Sequence, residues 1–329
     1  MILTIADAET LVATALERNN VSPENARSVA IALVAAEAAG QGGHGLRRVV
    51  SYSGQAKVGK ADGKATPVAA RTRPGVLSID VNHGFAYPAF DLAVEKLPAI
   101  VREQGIALAA FHRSHHAGVM GLTVERFAEQ GLVAMMFANA PAAVAPWGGR
   151  KALFGTNPIA FAVPVEGADP LVIDLALSTV ARGKVMAAQQ KGQKIPADWA
   201  LDTDGNPTTD ADAAMAGTMM PLGGAKGAAL ALMVEILSAG LTGANYAYEA
   251  SSLFDDKGPP PALGHMLIAI DPGASGGPGA AARIAELAEE MAAQENVRIP
   301  GRRGLNLRRK ALETGIEVDA DLIRDIEAL

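Results

Sequence analysis

The chain has 329 residues and a net charge of -6 at pH 7, and its 49% hydrophobic and 19% charged residues indicate a globular protein with a sizeable core. The acidic balance argues against a general nucleic-acid partner, and the absence of cysteine excludes disulfides, thiolate zinc sites and a cysteine nucleophile. No apolar run reaches the roughly 18 to 20 residues that span a bilayer, and the acidic start does not resemble a secretion signal, so a cytoplasmic location is predicted.

Two helices are predicted at the start of the chain. The first runs from about Asp7 to Arg18, where apolar residues are spaced to share one face. The second begins at Ser22-Pro23-Glu24, because serine suits the N-cap and proline the first helical position, and it ends near Gly40. A polar stretch from Gly54 to Pro67 is predicted as a loop.

Between this helix and the loop, the segment AAGQGGHGLRRVVSY holds His44 between glycines and Arg48 four residues later. If the residues after Gly45 are helical, the two side chains share a face and can point at one ligand. An imidazole that titrates near neutrality beside a guanidinium that can bind a carboxylate suits chemistry on a small carboxylate. The alternative is that His44 is a plain loop residue, and these residues alone leave it open.

Two glycine patterns in this region are similar to nucleotide motifs. The pattern G-x-G-x-x-G that ends at Gly45 follows an alanine-rich run predicted as helix, whereas the dinucleotide fingerprint follows a strand. The pattern G-x-x-x-x-G-K that ends at Lys60 precedes Ala61, where a P-loop needs a hydroxyl for magnesium. Neither pattern therefore predicts a nucleotide site.

From Val76 onwards strands alternate with helices, which indicates an α/β layer. A strand is predicted at VLSIDV, and a helix from Tyr87 to Gln104 follows it. Further strands are predicted at IALAAF, LVAMMF, IAFAVP and LVID, with a helix from Leu122 to Gln130 among them. Periodicity leaves open whether the sheet is parallel or antiparallel.

The next part of the chain changes from a strand to a long apolar helix. Asp174 ends the strand LVID, and LSTVARGKV is predicted to continue into a helix, followed by an irregular polar region over 192–221. The helix ALALMVEILSAGL begins at the segment Gly223-Gly224-Ala225-Lys226-Gly227. Glycines and a lysine at a helix start suit an anion, although they equally suit an ordinary capped core helix.

The last quarter combines a loop, a strand and a basic segment. Ser251 to Pro261 is predicted as a flexible loop, HMLIAID as a strand that rejoins the sheet, and Gly279 to Gln294 as an amphipathic surface helix. The segment RIPGRRGLNLRRKALE then places six basic residues between Arg298 and Lys310. Such a cluster forms either a solvated helix face or a loop that holds a phosphate.

His112, His115 and His116 lie close together in the sequence and allow three interpretations. A metal site is disfavoured because adjacent histidines point different ways and no nearby carboxylate completes the set, so no metal is predicted. A serine hydrolase built on Ser114 lacks the G-x-S-x-G nucleophile elbow. The third interpretation is proton transfer at the edge of a cleft, together with His44. The residues thus predict an enzyme with a histidine acid/base and an anionic ligand, without naming the reaction.

Six motifs in register resemble one family. They are HGLRRVVSY at His44, SHHAG at Ser114, GTNP at Gly155, DLALSTVARGKV at Asp174, GGAKG at Gly223 and PGRRG at Pro300. In this order, and over nearly the whole chain, they resemble the type-2 malate/L-lactate dehydrogenase family, whose members are NAD(P)-dependent oxidoreductases without a Rossmann fold.

The resemblance implies an α/β fold with a largely antiparallel central cofactor-binding sheet, a helical domain built from the two chain ends, and a homodimer. The corresponding segments are an N-terminal helical segment over 1–75 and a central NAD(P)-binding domain over 76–245. A C-terminal segment over 246–329 would return to the helical domain and the cofactor site.

The same resemblance implies roles for individual residues. His44 looks like the proton donor, Arg48 the clamp for the substrate carboxylate, and Thr156 a further substrate contact. His116 lies where cofactor and substrate meet in this family, and in some members it is considered the acid/base instead. The residues expected to bind the cofactor are His116, Ala117, Gly118, Val119, Met120, Asp174, Leu175, Ala176, Arg182, Gly183, Ala225, Lys226, Arg303, Gly304, Asn306, Arg308 and Arg309. Arginines at 302, 303, 308 and 309 favour the 2′-phosphate, so NADPH is expected before NADH.

One position departs from the family pattern. Most members have serine directly before the histidine, where it is thought to orient the imidazole, whereas this chain has Gly43. The variant GQ-x-GHG resembles the branch of piperideine-2-carboxylate and pyrroline-2-carboxylate reductases, which form pipecolate and proline. The sequence therefore predicts NADPH-dependent reduction of a small cyclic imino acid. The alternative is an NAD(P)-dependent 2-hydroxy acid dehydrogenase of the malate or lactate type, and a minor alternative is a non-catalytic binding protein.

Overall fold

A computed structural model describes residues 1–329 and contains eleven strands, most of them in one central sheet. The strands are β1 (Ile2–Leu3), β2 (Val68–Arg73), β3 (Val76–Asp80), β4 (Ile106–Ser114), β5 (Val133–Ala138), β6 (Ile159–Val165), β7 (Ala168–Leu175), β8 (Ala200–Leu201), β9 (Thr218–Met219), β10 (Leu263–Ile270) and β11 (Ile316–Glu317).

Twelve α-helices surround the sheet or lie at the chain ends. They are α1 (Ile5–Arg18), α2 (Pro23–Ala38), α3 (Arg48–Val58), α4 (Ala86–Gln104), α5 (Met120–Ala128), α6 (Arg182–Gln190), α7 (Ala211–Ala216), α8 (Ala225–Glu235), α9 (Pro272–Gly276), α10 (Ala280–Ala292), α11 (Arg302–Thr314) and α12 (Ala320–Glu327). None of these helices combines the length and the apolar composition needed to cross a bilayer.

The central sheet has seven strands in the order β2-β3-β4-β10-β5-β6-β7. Every neighbouring pair is antiparallel except β3 and β4, which run parallel. The predicted α/β class with a largely antiparallel sheet is therefore confirmed. β10 arrives from late in the chain and lies between β4 and β5, where His265 pairs with Phe111 on one side and Ala138 on the other. This insertion places His265 beside the histidines that follow β4.

Side chains of the sheet alternate between two cores. On β10, Leu267 packs in a core shared with α1, α2, α4 and α5, whereas its neighbour Met266 packs in a smaller core with Ala231 and Val234 of α8. Successive residues of a strand point to opposite faces, which explains how one strand serves both cores. The near-continuous apolar sequence HMLIAI reflects burial on both faces.

Capping side chains begin the first two helices, and α1 starts at Ile5, two residues before the predicted Asp7. The Thr4 hydroxyl accepts a hydrogen bond from the amide of Asp7 at 3.1 Å and begins α1. The Ser22 hydroxyl accepts from Asn25 N at 3.4 Å, and Pro23 occupies the first position of α2. Gly40 follows this helix with a φ of 75°, which is strained for a side chain, so the predicted end of the second helix is confirmed.

Three local expectations need correction. The predicted loop from Gly54 is wrong up to Val58, because α3 continues and buries Gln55 and Ala56 against the rest of the fold. The helix expected after Asp174 begins only at Arg182, since Leu177 N first donates to Thr156 O at 2.8 Å. Strand β2 was not predicted, because five of its six residues are exposed and give no apolar alternation.

The two chain ends are in contact with each other. β1 pairs with β11 in a two-stranded ribbon, and the N-terminal amine donates to Val318 O at 2.7 Å. α1 packs against α2, α3 and α12. These contacts fix α3, and therefore the segment that carries Arg48, relative to the rest of the fold.

Candidate active site

Helix α3 presents three polar side chains on one face. Arg48, Tyr52 and Gln55 are spaced by four and three residues, the spacing that aligns side chains along a helix. Tyr52 and Gln55 are fully buried, and Arg48 at the first position is half-buried. The helix expected after Gly45 begins only at Arg48, so His44 lies in the turn before this helix and not one turn along the same face.

His44 and His116 form a stacked pair. Their ring centroids are 5.1 Å apart with an interplanar angle of 20°, and His44 ends the short helical turn Gly42–His44. The Tyr52 hydroxyl lies 2.7 Å from His116 Nδ1 and 3.3 Å from the Tyr87 hydroxyl. A neutral His116 that accepts this hydrogen bond carries its own proton on Nε2. The structure thus brings together the two histidines that the sequence proposed as rival acid/bases.

The electrostatics of the pair favour uncharged imidazoles. Burial, and secondly the positive charge of Arg48, lower the pKa of His44 to about 4. Burial also lowers the pKa of His116 well below its usual value, with further contributions from Arg48 and His44. Two imidazoles in contact beside a guanidinium cannot easily both be protonated. Near neutral pH the free protein therefore holds both rings in the neutral form.

Arg48 is arranged to bind an anion. Its Nε donates to Gly43 O at 2.9 Å, and its guanidinium carbon lies 5.0 Å from the centroid of the Phe254 ring. Its two Nη groups make no hydrogen bond within the chain, so they are free for a carboxylate. The hydrogen bond to Gly43 also links the clamp to the turn that carries His44.

Three further histidines, in or beside β4 and in β10, have structural partners. His115 Nε2 lies 2.8 Å from Gln55 Oε1, and His265 Nε2 lies 2.9 Å from the Ser114 hydroxyl. Burial lowers the pKa of both His115 and His265 to about 3. His112 Nε2 instead lies 3.7 Å from Asp80 Oδ2, across the pair of strands β3 and β4. Ser114 is fully buried, and no group of three His, Cys, Asp or Glu side chains is arranged to hold a metal.

Thr156, the predicted substrate contact, lies in a loop with a rigid support. Its neighbour Asn157 is fully buried and donates to Glu235 Oε2 and to Ala231 O, both at 2.8 Å. Burial raises the pKa of the Glu235 carboxyl, while the amide donors around it act in the opposite direction. Thr156 itself is half-buried.

A cleft of about 950 Å³ is lined in part by residues close in sequence to the two histidines. Its walls come from the end of α2, the start of α5, strand β7 and the start of α11, and they include Gln41 and Val119, which flank the segments of His44 and His116. The start of α11 lies in this lining, and the unpaired amides of a helix start suit phosphate groups. The volume falls in the range of small-molecule sites. Gly301, with a φ of 82°, allows close approach, because a Cβ there would lie 2.9 Å from Val172 Cβ.

Only part of the predicted cofactor set lines this cleft. Val119, Asp174, Arg303, Gly304 and Arg308 do so. The residues outside its lining are His116, Ala117, Gly118, Met120, Leu175, Ala176, Arg182, Gly183, Ala225, Lys226, Asn306 and Arg309. Lys226 is exposed at the start of α8, and Arg182 at the start of α6 donates to backbone carbonyls of Ala142 and Met215.

Asp174 caps the start of α5 inside the cleft. Its Oδ2 accepts a hydrogen bond from Gly121 N at 2.7 Å. Removal from bulk water raises the pKa of Asp174 to about 6, although the outer edge of the residue stays exposed. A carboxylate at this helix start repels a phosphate and instead suits a hydroxyl or amide donor.

Three of the four arginines near the chain end are already paired. Arg308 donates to both carboxylate oxygens of the buried Glu125 at 2.7 and 2.5 Å. Arg302 and Arg309 share Asp169, with contacts of 2.6 to 3.0 Å. Arg303 is exposed and makes no ion pair or hydrogen bond through its side chain. The sequence could not separate these four, since the paired acids lie more than a hundred residues away.

The chain is similar to known proteins over almost its whole length. Residues 3–327 match the malate/L-lactate dehydrogenase family. The chain is 48% identical over 328 residues to the (2R)-3-sulfolactate dehydrogenase (NADP(+)) of Chromohalobacter salexigens, which covers 99% of this chain and 97% of the relative. It is 40% identical over 328 residues to the Delta(1)-pyrroline-2-carboxylate/Delta(1)-piperideine-2-carboxylate reductase of Pseudomonas putida, covering 98% and 95%.

A solved structure is similar over the same extent. The delta1-piperideine-2-carboxylate reductase from Pseudomonas syringae pvar. tomato superposes with a TM-score of 0.93 at 36% identity, covering 100% of this chain and 99% of that one.

Proposed function

The chain belongs to the malate/L-lactate dehydrogenase family of oxidoreductases, and from this premise we propose that it is an NADPH-dependent reductase of a small cyclic imino acid. The substrate would be piperideine-2-carboxylate or pyrroline-2-carboxylate, and the product pipecolate or proline. When bound, NADPH supplies the hydride that adds to the imine carbon next to the carboxylate. The chain's own residues bind and orient the substrate and control its proton.

The stacked pair of His44 and His116 beside Arg48 carries this proposal. Reduction of a ketone needs an acid to protonate the new alkoxide, and two neutral imidazoles next to a guanidinium are poorly suited to that role. A cyclic imine can bind already protonated on nitrogen, so its reduction needs no proton from the site. The same reasoning accounts for Gly43, where the family's orienting serine is absent.

Substrate binding is assigned to Arg48 and Thr156. The free Nη groups of Arg48 would hold the carboxylate through two parallel hydrogen bonds, with the half-buried Thr156 as a second contact. Fixing the carboxylate fixes the neighbouring imine carbon, and orientation of this kind can contribute several kcal/mol to a rate enhancement. His44 and His116, as neutral rings, would contact the side of the substrate that carries the imine nitrogen.

The dinucleotide is assigned to the 950 Å³ cleft. Arg303 supports NADPH over NADH, since it is the one arginine of the four whose charge is not neutralised by an acid. Asp174 would accept a hydrogen bond from a hydroxyl or amide of the cofactor. One relative points the same way, since the name of the sulfolactate dehydrogenase specifies NADP(+).

A second candidate is NADP-dependent oxidation of a 2-hydroxy acid. The relative at 48% identity is named a sulfolactate dehydrogenase, and a neutral imidazole can accept the hydroxyl proton of such a substrate. A non-catalytic binding protein has less support, because His44, Arg48 and His116 lie together in one site.

We also propose the finer points of organisation that the family resemblance implied. The segments 1–75, 76–245 and 246–329 would divide the chain, with the helices of both ends forming one unit. A homodimer is supported by Leu230 and Met233 of α8 and by Ile236 directly after it, which are exposed apolar residues. A cytoplasmic location remains part of the proposal.

The test is NADPH oxidation, followed by absorbance, against piperideine-2-carboxylate, pyrroline-2-carboxylate, pyruvate, oxaloacetate and 3-sulfopyruvate. We expect kcat/KM for a cyclic imine to exceed that for every keto acid by at least tenfold. Turnover of keto acids with none of the imines would replace the proposal by the hydroxy-acid dehydrogenase. Replacing NADPH by NADH in the same assay tests the cofactor assignment.

A further inference from the structure

Lys60 is a buried cation that the proposed reaction does not use. Its side chain is fully buried, and its ammonium donates to the carbonyl oxygens of Ser252, Asp255 and Lys257 at 2.6, 3.0 and 2.6 Å. An ammonium has three N–H groups, and three carbonyls satisfy all of them. Burying a lysine is unfavourable unless it is fully paired, so this arrangement indicates a specific task.

The three carbonyls belong to one irregular segment, 252–257, which we call the Phe254 loop. Gln55 of α3 also donates to Asp255 O at 2.9 Å, and through its other atom it contacts His115. The prediction of a flexible loop from Ser251 to Pro261 therefore overlooked an anchor in the core. No local pattern could reveal it, since Lys60 and the loop are separated by more than 190 residues.

The anchored loop presents an aromatic ring beside the substrate clamp. Phe254 lies 5.0 Å from the Arg48 guanidinium carbon, yet 46% of the residue is exposed. A ring that belonged to the core would be covered, whereas this one is held in place with a face still open. A cation beneath the ring contributes favourably but leaves that outer apolar surface without a partner.

We propose that Phe254 is a specificity-determining residue that packs against the methylene ring of the substrate, and that Lys60 is the positioning residue that holds it there. The inference rests on the proposed function, because it names the part of a cyclic imino acid that Phe254 contacts. A carboxylate on Arg48 places its α-carbon substituents next to Phe254. An apolar wall favours ring methylenes, and it disfavours a second carboxylate or a sulfonate, which would lose hydration without a new partner.

The test is calorimetric binding of pipecolate and of lactate to the full-length protein saturated with NADPH, a combination that contains no hydride acceptor and therefore cannot turn over. Phe254→Ala should weaken pipecolate binding about tenfold and lactate binding less than twofold, since a lost apolar contact in a pocket is worth roughly tenfold or more. Tyr248→Ala, at another exposed aromatic in the same part of the chain, is the matched control and should change neither. Equal losses for both ligands, or none, would overturn the role of Phe254.

Lys60 is tested by two substitutions and two readouts. Lys60→Gln should raise the KM of the cyclic substrate with little change in kcat, and it should speed trypsin cleavage after Lys257. Lys60→Arg keeps the positive charge, so its KM and its cleavage rate should lie between those of the wild type and of Lys60→Gln. An intact, folded Lys60→Gln protein with unchanged KM and unchanged cleavage would remove Lys60 from this role. Binding of pipecolate is measured without turnover, so absent imine reduction would refute the proposed function while the Phe254 result still stands or falls by itself.

Discussion

Arg303 offers a sharp test of cofactor recognition. It lines the cleft without an acidic partner, whereas Arg308 is held by Glu125 and Arg309 by Asp169. A hydrogen bond to a charged group contributes roughly 1.5 to 3 kcal/mol, which corresponds to about 10- to 150-fold in an equilibrium constant. We therefore expect Arg303→Ala to raise the KM for NADPH by at least about tenfold while the KM for NADH changes less than twofold.

The assay is steady-state kinetics with both cofactors at saturating imino acid, for the wild type, Arg303→Ala and a matched control. Lys310→Ala serves as that control, because Lys310 is an exposed basic residue of the same helix that does not line the cleft. It removes the same charge and should leave both KM values within twofold. An equal rise in the KM values for NADPH and NADH in Arg303→Ala, or equal effects of the two substitutions, would refute specific recognition of the 2′-phosphate by Arg303.

Three further predictions concern substrate binding by Arg48, the turn at Gly43 and the dependence of stability on pH. Arg48→Ala should raise the KM of the cyclic substrate by roughly 10- to 100-fold, because the carboxylate loses a charged partner, and an unchanged KM would remove Arg48 from the site. Gly43→Ser should fold normally, since no atom lies within 4 Å of a Cβ there, and it should change imine reduction less than tenfold; a larger gain would contradict the view that this reaction needs no oriented acid. Acid should destabilise the protein: His115 and His265 have pKa values of about 3 when folded, so stability is complete above the unfolded value of about 6.5 and falls as the pH drops towards 3. Urea unfolding at pH 7 and 5.5 should show a loss of about 2 kcal/mol from this pair, and a flat profile would refute the assignment.

The sequence was informative where structure depends on local spacing. Apolar spacing predicted the first helix, the Ser22-Pro23-Glu24 start predicted the second, and apolar runs predicted the main strands. The sequence also proposed that His44 and Arg48 act together, and Arg48 is hydrogen-bonded to the turn that carries His44. Tyr52 follows Arg48 by four residues, so helical periodicity could have added it to the site.

What the sequence could not provide was contact between distant segments. The insertion of β10 between β4 and β5, the pairing of Arg308 with Glu125, and the anchoring of the Phe254 loop by Lys60 all join residues far apart in the chain. Such contacts leave no periodic signal, and they decide which of several similar residues is free to bind a ligand. This is why four arginines looked equivalent in the sequence, although only Arg303 lacks an ionic partner.

The central claim is tested most directly by internal competition. The protein is given equal concentrations of piperideine-2-carboxylate and 3-sulfopyruvate with limiting NADPH, and the ratio of pipecolate to sulfolactate is measured by mass spectrometry. This ratio reports the two kcat/KM values in a single mixture. We expect pipecolate to exceed sulfolactate by at least tenfold, and a product mixture dominated by sulfolactate would contradict the assignment as a cyclic imino acid reductase.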